Sequence, residues 1–534
     1  MNKKKQMSKV GFIVSSLGAA IGLGVIWGLP GYINKNGGFY FFLFYIVAMI
    51  IVGIPLLIFE FNLGNLRRKS VINIFEKENV KVSKFIGWFQ STLMIIIPIY
   101  YSVLVGYTIV SIGIEFSPSL INDMGGNIFN KHILQSGGFG VSAHGGFQWI
   151  VFLAFLLVVI LVGLILSFGI KGIEKLNKVF MPLLFIIIFI LAIYILTVPG
   201  SKEGLATLFL KDNLKKLGTT QTWSSVFSLA FFTTSLGMGM MIRFAGVAPH
   251  NQDNTSKTYL LLIGILFLSV TNLIFIFGSS GAIVNNSISD KTNILLFQQE
   301  ITNKFGSDSI VFVFNVLPKT FHIINQNTVV GFGSFLGILF FLALFIAGLS
   351  TTVGNTEVIV DAIETQYHFK KRRVIFGICT LIIVVGLALV FENTYQLINS
   401  FQLLAAGLDL ILVSFAQVIF FVHKTKKLDV LIKYNNKVSW IKLGTLYRLM
   451  MYYVIPVILF IIIGFSIYDF VISTTTNPLY IFILALVLGI LVPIISALAN
   501  SPEIFDAKKN KIKKTVIQNE IPKVSQPKLE DEVE

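Results

Sequence analysis

The chain has 534 residues, of which 55% are hydrophobic and only 13% charged, and its mean hydropathy is +0.81. That composition excludes a water-soluble globular domain and leaves a polytopic membrane protein. The formal net charge of +16 would suit a nucleic-acid partner on one soluble face. Here the basic residues fall in short loops and tails, so the partner they indicate is the lipid bilayer and not nucleic acid.

At about 20 apolar residues per span, the sequence divides into about twelve segments: 10–33, 39–64, 85–115, 147–169, 177–198, 223–247, 258–285, 329–366, 373–391, 396–423, 446–470 and 478–499. An even number puts both termini on one side. Lys3 to Lys5, Arg67 to Lys69, Lys171 to Lys178, Lys370 to Arg373, His423 to Lys427 and Lys508 to Lys514 all fall on that side. The positive-inside rule makes it cytoplasmic, with Lys211 to Lys216 a local basic exception outside. The lysines ahead of the first apolar run imitate a signal peptide. The run is long and no small-residue cleavage site precedes the next span, so it reads as a retained helix.

The first segment contains Gly18, Gly22, Gly24 and Gly28 ahead of Pro30, each of which weakens a helix or removes a donor. A helix that breaks at membrane depth frees carbonyls and amides that lipid cannot satisfy, so the break must face protein or a water-filled cavity. The freed groups are candidate ligands for an ion and a substrate. Close packing of a glycine-rich helix on a neighbour is the other reading of this stretch alone.

The second segment carries Gly53-Ile54-Pro55 and then Glu60. An acid in a span is either functional or accepts hydrogen bonds from broken backbone nearby. The third carries Ile97-Pro98-Ile99-Tyr100-Tyr101, where a tyrosine hydroxyl needs a partner and an anionic group would serve. The stretch from Gly172 to Pro182, at the cytoplasmic end of the fifth, has a pattern suited to local unwinding at a gate or simply to a helix start. In the sixth, Phe232-Thr233-Thr234-Ser235-Leu236-Gly237-Met238-Gly239 repeats the glycine break. Interrupted segments one and six hold corresponding places in two five-helix halves, the sequence pointer to a midplane binding site between inverted repeats.

The eighth segment contributes Ala347-Gly348-Leu349-Ser350-Thr351-Thr352, with Asn355 on the same helix face as Thr351. Hydroxyls beside a small Ala-Gly step, in a chain with two broken helices, favour a hard-cation site of carbonyl and hydroxyl oxygens over packing. Asp409, in the tenth segment, is either a proton-linked carboxylate or one half of an interhelical pair. Cys379 is the single cysteine and the six histidines are scattered, so no disulfide framework or cysteine metal site is expected. No Walker loop, dinucleotide fingerprint or nucleophile elbow is present, and no enzyme is expected.

Gly22-Leu23-Gly24 followed by Trp27 and Pro30, Asn36-Gly37-Gly38, Gly53-Ile54-Pro55 with Glu60, Tyr100-Tyr101, Gly172-Ile173-Glu174-Lys175 through Pro182, Pro199-Gly200 with Glu203-Gly204, Phe231-Phe232-Thr233 through Gly239, Leu317-Pro318-Lys319 with Phe321, and Ala347-Gly348-Leu349 occur in order. Together they resemble the neurotransmitter:sodium symporter family, of the bacterial sodium-dependent amino acid transporter type, from the first segment to about the ninth. The resemblance implies an all-α membrane protein with the LeuT-type fold, a five-plus-five inverted repeat and broken helices one and six. The expected organisation is a cytoplasmic segment 1–9, a transporter domain 10–500 and a disordered cytoplasmic tail 501–534. Within the domain the repeats span about 10–198 and 223–423, and two further helices span 446–499.

Carried over position by position, the resemblance implies a sodium ion held by Gly18, Ile21, Ala347, Ser350 and Thr351. It implies an amino-acid carboxylate at the amides around Gly22, Leu23 and Gly24 and at the Tyr101 hydroxyl. The substrate amine would meet Ala20, Phe232, Thr233 and Ser235. Ile97, Phe232, Met238, Thr351 and Asn355 would line the side-chain subsite, where polar Asn355 hints at a substrate able to hydrogen-bond. Glu60, Gly172, Pro182 and Gln402 take structural or gating roles.

Several positions depart from the family pattern. Val25 and Ile265 stand where the family's first sodium site has asparagines, Leu229 stands at a chloride-associated glutamine, and Gly28 and Gln402 replace the charged outer gate. The expectation is a plasma-membrane symporter, monomeric or weakly dimeric, importing a neutral amino acid with one sodium and no chloride. A proton-coupled carrier using Asp409 or Glu60, and a non-transporting sensor of the same fold, are the alternatives.

Overall fold

The structure is a computed structural model that describes residues 6–76, 81–116, 146–306, 309–391 and 394–476. The expected twelfth span (478–499), the tail (501–534) and the basic clusters at 3–5 and 508–514 lie outside the described residues. Within them nine helices are long and apolar enough to cross a membrane: Gly38–Arg67, Lys84–Glu115, Trp149–Ser167, Lys171–Ile195, Asn254–Ser287, Phe332–Tyr367, Lys371–Leu389, Ala405–Lys424 and Thr445–Ile472. The first span is a bent pair, Lys9–Ala20 and Gly24–Asn36, turned by 45°. The sixth is also in two pieces, Thr220–Thr234 and Met240–Val247. These broken spans account for the first and sixth expected segments.

The most apolar window of the third span is 83% buried, against 28% for that of the eleventh. The third span is therefore a central post, and the fourth, fifth, ninth and eleventh present apolar side chains such as Leu157, Ile190 and Phe460 outward, where lipid lies. Alternation of the spans places Arg67 to Lys69, Lys171 to Lys178, Lys370 to Arg373 and Lys424 to Lys427 at the end of the bundle that carries Lys9. That end is termed the N-terminal face.

Three spans share a device for admitting proline. The wide turns Gly24–Gly28, Met49–Gly53 and Met450–Val454 each end two residues before Pro30, Pro55 and Pro456. In each, the residue before the proline donates to a carbonyl five back: Leu29 to Gly24, Ile54 to Met49 and Ile455 to Met450. A proline ring crowds the carbonyl four residues earlier and has no N–H to offer it, and widening the turn relieves both problems.

The fifth span corrects an expectation. Hydropathy places it over 177–198, but its helix begins earlier and runs over Ile170–Ile195 with Pro182 inside it, so Gly172 lies at a helix start, one of the two readings of that pattern. The backbone reversal lies one step earlier, at Gly169 (φ 70°), and Gly172 N–H donates to the Gly169 carbonyl at 2.9 Å as an ordinary first-turn bond. Helices Ile294–Phe305, Ser309–Asn327 and Leu428–Val438 have no counterpart among the expected segments. The last is amphipathic, with Leu428, Leu431 and Ile432 buried.

Packing is tightest where glycines remove side chains. A Cβ at Gly64 would collide with the backbone of Ile242 on the sixth span, whereas one at Gly377 would meet nothing within 4 Å. Overpacking of this kind costs about 1–3 kcal/mol or more. Gly64→Val is expected to lower the thermal midpoint of the detergent-solubilised protein or abolish its monodisperse peak on size exclusion, and Gly377→Val to leave both unchanged.

Candidate functional site

The two breaks lie side by side, and their freed backbone groups are answered by side chains from other spans. Ile21 (φ −89°, ψ 63°) leaves the first helix, and the Leu23 N–H donates to Tyr101 Oη at 2.8 Å. In the sixth span Ser235, Gly237 and Gly239 take positive φ values of 55°, 74° and 74°, a region open to glycine but strained for serine. The Ser235 hydroxyl donates across to the Ala19 carbonyl at 3.1 Å. Glu60 accepts from Gly237 N–H at 3.1 Å, and Gln90 Nε2 donates to the Gly237 carbonyl at 3.0 Å. Of the two readings of Glu60, the hydrogen bond to broken backbone is the one this geometry contains.

The glycines of the first break are spacers for this meeting. A Cβ on Gly22 would collide with Tyr101 Oη and Thr351 Oγ1, and one on Gly24 would lie 2.6 Å from the Phe232 ring. Tyr101 and Phe232 meet edge to face at 6.1 Å between centroids, and Trp27 packs on Tyr101 at 6.2 Å. Ala20, Ile97 and Met238 are buried. Phe232 and Gln402 line one cavity together with Ser225 and Ser228, on the side away from the N-terminal face. Asn355 is fully buried, and neither atom of its amide has a hydrogen-bond partner.

Beside these groups, oxygens converge. Thr351 Oγ1 lies 3.2 Å from the carbonyls of Gly18 and Ala347 and 3.3 Å from that of Ala19. The adjacent Ser350 Oγ is 1% exposed and has no partner. A hydroxyl shared among carbonyls from two helices, with an unanswered hydroxyl next to it, has the donor chemistry of a hard monovalent cation.

A second cluster is closed on itself. Tyr45 Oη and Thr233 Oγ1 are 2.8 Å apart, and Thr233 and Ser269 donate to their own helices, to the Leu229 and Ile265 carbonyls. Val25 and Ile265 are buried side chains without an oxygen to offer. Two turns further along the seventh span, Asn272 Nδ2 donates to the carbonyls of Val25 and Ile26 at 3.1 and 2.8 Å. A protein hydrogen bond thus joins the seventh span to the outer half of the first.

Asn272 escapes sequence reasoning, as do the ties that seal the N-terminal face. Arg243, on the inner half of the sixth span, pairs with Asp361 at 2.7 Å and Glu357 at 3.2 Å on the eighth, and Lys371 reaches Glu357 at 2.9 Å. Ser8 Oγ donates to Glu174 at 2.7 Å, and Met7 N–H donates to the Val247 carbonyl at 3.1 Å. The available signal was the presence of Arg243, Glu357 and Asp361 inside apolar segments, where charge is costly without a partner. Asp409 sits half-buried at the start of Asp409–Val418, and among the described residues no ion pair reaches it.

Two half-helices meeting at mid-bundle over a cation-like oxygen cluster define a secondary transporter of the LeuT-type fold. The solved structure of MhsT in complex with L-phenylalanine has this fold, with a TM-score of 0.72 and 23% identity over 86% of this chain and 99% of that one. The sequence model of the sodium:neurotransmitter symporter family matches residues 3–133 and 122–505, and the chain belongs to that family of sodium-dependent transporters. An uncharacterized sodium-dependent transporter of Methanocaldococcus jannaschii is 32% identical over 464 residues, covering 86% of this chain and 89% of its own. The mouse sodium-dependent neutral amino acid transporter B(0)AT2 is 22% identical over 76% of this chain and 65% of its own length.

The Arg243 cluster carries its own test. Removing one partner of a buried ion pair leaves uncompensated charge at a cost of about 3–5 kcal/mol. Arg243→Gln is expected to lower the thermal midpoint of the purified protein substantially. The double variant Arg243→Gln, Asp361→Asn is expected to recover most of the loss, because Glu357 keeps Lys371 and no carboxylate is then left buried without its cation.

Proposed function

We propose that the chain is a plasma-membrane symporter, with cytoplasmic termini, that imports a neutral amino acid by alternating access with one sodium ion and without chloride. The observation that carries the reading is the Thr351 hydroxyl lying 3.2 Å from both the Gly18 and Ala347 carbonyls, beside the unpaired Ser350 hydroxyl and the freed ends of the first helix. Gly18, Ile21, Ala347, Ser350 and Thr351 would hold the ion. The Leu23 amide and Tyr101 hydroxyl, which bond each other at 2.8 Å, would both turn to the substrate carboxylate. Ala20, Phe232, Thr233 and Ser235 would receive the amine.

Single-ion coupling is supported by what occupies the other cluster. The Thr233 hydroxyl is engaged by Tyr45, Val25 and Ile265 bring no oxygen, and two turns beyond Ile265 the Asn272 amide nitrogen ties the seventh span to the first by a hydrogen bond within the protein. The relatives named for neutral amino acids and the phenylalanine in the MhsT complex support a zwitterionic substrate. The unpartnered Asn355 amide supports a side chain that can hydrogen-bond to it, since an unanswered buried amide is costly.

Uptake into proteoliposomes under an imposed sodium gradient is the direct test. Uptake is expected to require sodium, to ignore replacement of chloride, and to fall to background in Thr351→Val. Sodium-independent uptake that follows a pH gradient would replace this reading with a proton-coupled carrier, and binding without counterflow would replace it with a sensor. In a binding screen of the twenty amino acids, Tyr101→Phe is expected to weaken all ligands by about tenfold, the loss of one hydrogen bond to charge. Asn355→Ala is expected to change their rank order.

A further inference from the structure

The fifth span places one more polar side chain against Gly18, whose carbonyl belongs to the oxygen cluster. Asn177 is 0% exposed, and neither its Oδ1 nor its Nδ2 has a partner. Its amide lies flat on Gly18: a Cβ built there would stand 2.6 Å from Oδ1, 2.6 Å from Cγ and 2.8 Å from Nδ2. Gly18 is thus glycine because the Asn177 amide fills the volume of its side chain. The Gly18 carbonyl is one of those that Thr351 joins, so the amide borders the residue that brings this carbonyl to the cation cluster. A buried amide with both ends unanswered is rare in a folded protein and marks a missing ligand or water.

We propose that Asn177 is an additional oxygen donor of the sodium site, supplied by the fifth span to an ion otherwise held by the first and eighth. The assignment rests on the sodium reading above and extends it. Two unanswered groups, Ser350 Oγ and the Asn177 amide, then have one common explanation. A hard cation prefers several oxygens and accepts amide carbonyls readily. The arrangement gives the fifth span a direct interest in the ion: the bound ion links three helices, and its departure frees the fifth to move independently of the first.

The test is the sodium concentration for half-maximal uptake, measured on the full-length protein in proteoliposomes at saturating substrate, with sodium-induced thermal stabilisation of the substrate-free protein as a second readout. Asn177→Ala and Asn177→Ser are expected to raise the half-maximal sodium concentration roughly five- to tenfold while leaving substrate affinity at saturating sodium within twofold. Asn177→Asp, which unlike serine keeps an oxygen at the same reach, is expected to stay at or below the wild-type value. A purely structural role would lower the yield and thermal midpoint of all three variants without moving the sodium dependence, and that outcome overturns the assignment. If Asn177→Ala fails to fold, the serine and aspartate variants decide by the same criterion. Loss of sodium dependence in the wild type would instead overturn the sodium site itself.

Discussion

Every distinctive feature of this molecule follows from one constraint: two helices are interrupted in the middle of a bundle whose surroundings offer no water. Each interruption strands backbone amides and carbonyls, and at this depth each stranded group costs several kcal/mol unless a partner is found. The structure answers them individually. Tyr101 takes the Leu23 amide, Glu60 takes the Gly237 amide, Gln90 serves the Gly237 carbonyl and Ser235 reaches Ala19. Among the buried polar groups that remain without a partner are Ser350, next to Thr351, Asn355, one turn further on, and Asn177, against Gly18. The satisfied groups hold the breaks open, and on the proposed reading Ser350, Asn355 and Asn177 are left for the cargo.

The two faces of the bundle close by different physics. On the N-terminal face, Arg243, Glu357, Asp361 and Lys371 form a buried network joining the sixth, eighth and ninth spans, and the chain's own start is fastened by Ser8 to Glu174. On the opposite face Gln402 and Phe232 line one cavity, and the packing beside it is aromatic, with Trp27 and Phe232 both against Tyr101. Aromatic packing reforms with little directional demand, while a buried ion network is strongly penalised when one member is withdrawn. A conformational cycle built from these parts would have a compliant opening on one side and a more nearly all-or-none opening on the other.

The spans were legible because hydropathy over twenty residues is a strong signal, and the breaks because glycine and proline clusters have no other use there. Glu60, Tyr101, Ser350 and Thr351 were legible as polar groups that membrane interiors do not keep idly. The start of the fifth helix was misjudged because its first turns, Lys171 to Lys178, are too polar to register as span although they are fully helical. Asn177 and Asn272 were invisible for a different reason. A single amide, whether in a polar first turn or an apolar segment, says nothing of the helix it faces, and Asn272 reaches carbonyls of Val25 and Ile26, 247 and 246 residues away.

The Asn272 contact bears on what the transporter can accomplish. An ion that bridges two helices stabilises them only when bound, so it couples their arrangement to the ion's concentration, whereas a hydrogen bond within the protein is always present and couples to nothing. Exchanging the first for the second keeps the architecture but surrenders driving force. Each sodium crossing down a tenfold gradient releases about 1.4 kcal/mol, and 100 mV of membrane potential adds about 2.3 kcal/mol. One ion therefore supports a substrate accumulation of roughly several hundredfold, and a second would square that figure. On the single-ion reading this chain trades concentrating power for a lower ion cost per molecule carried.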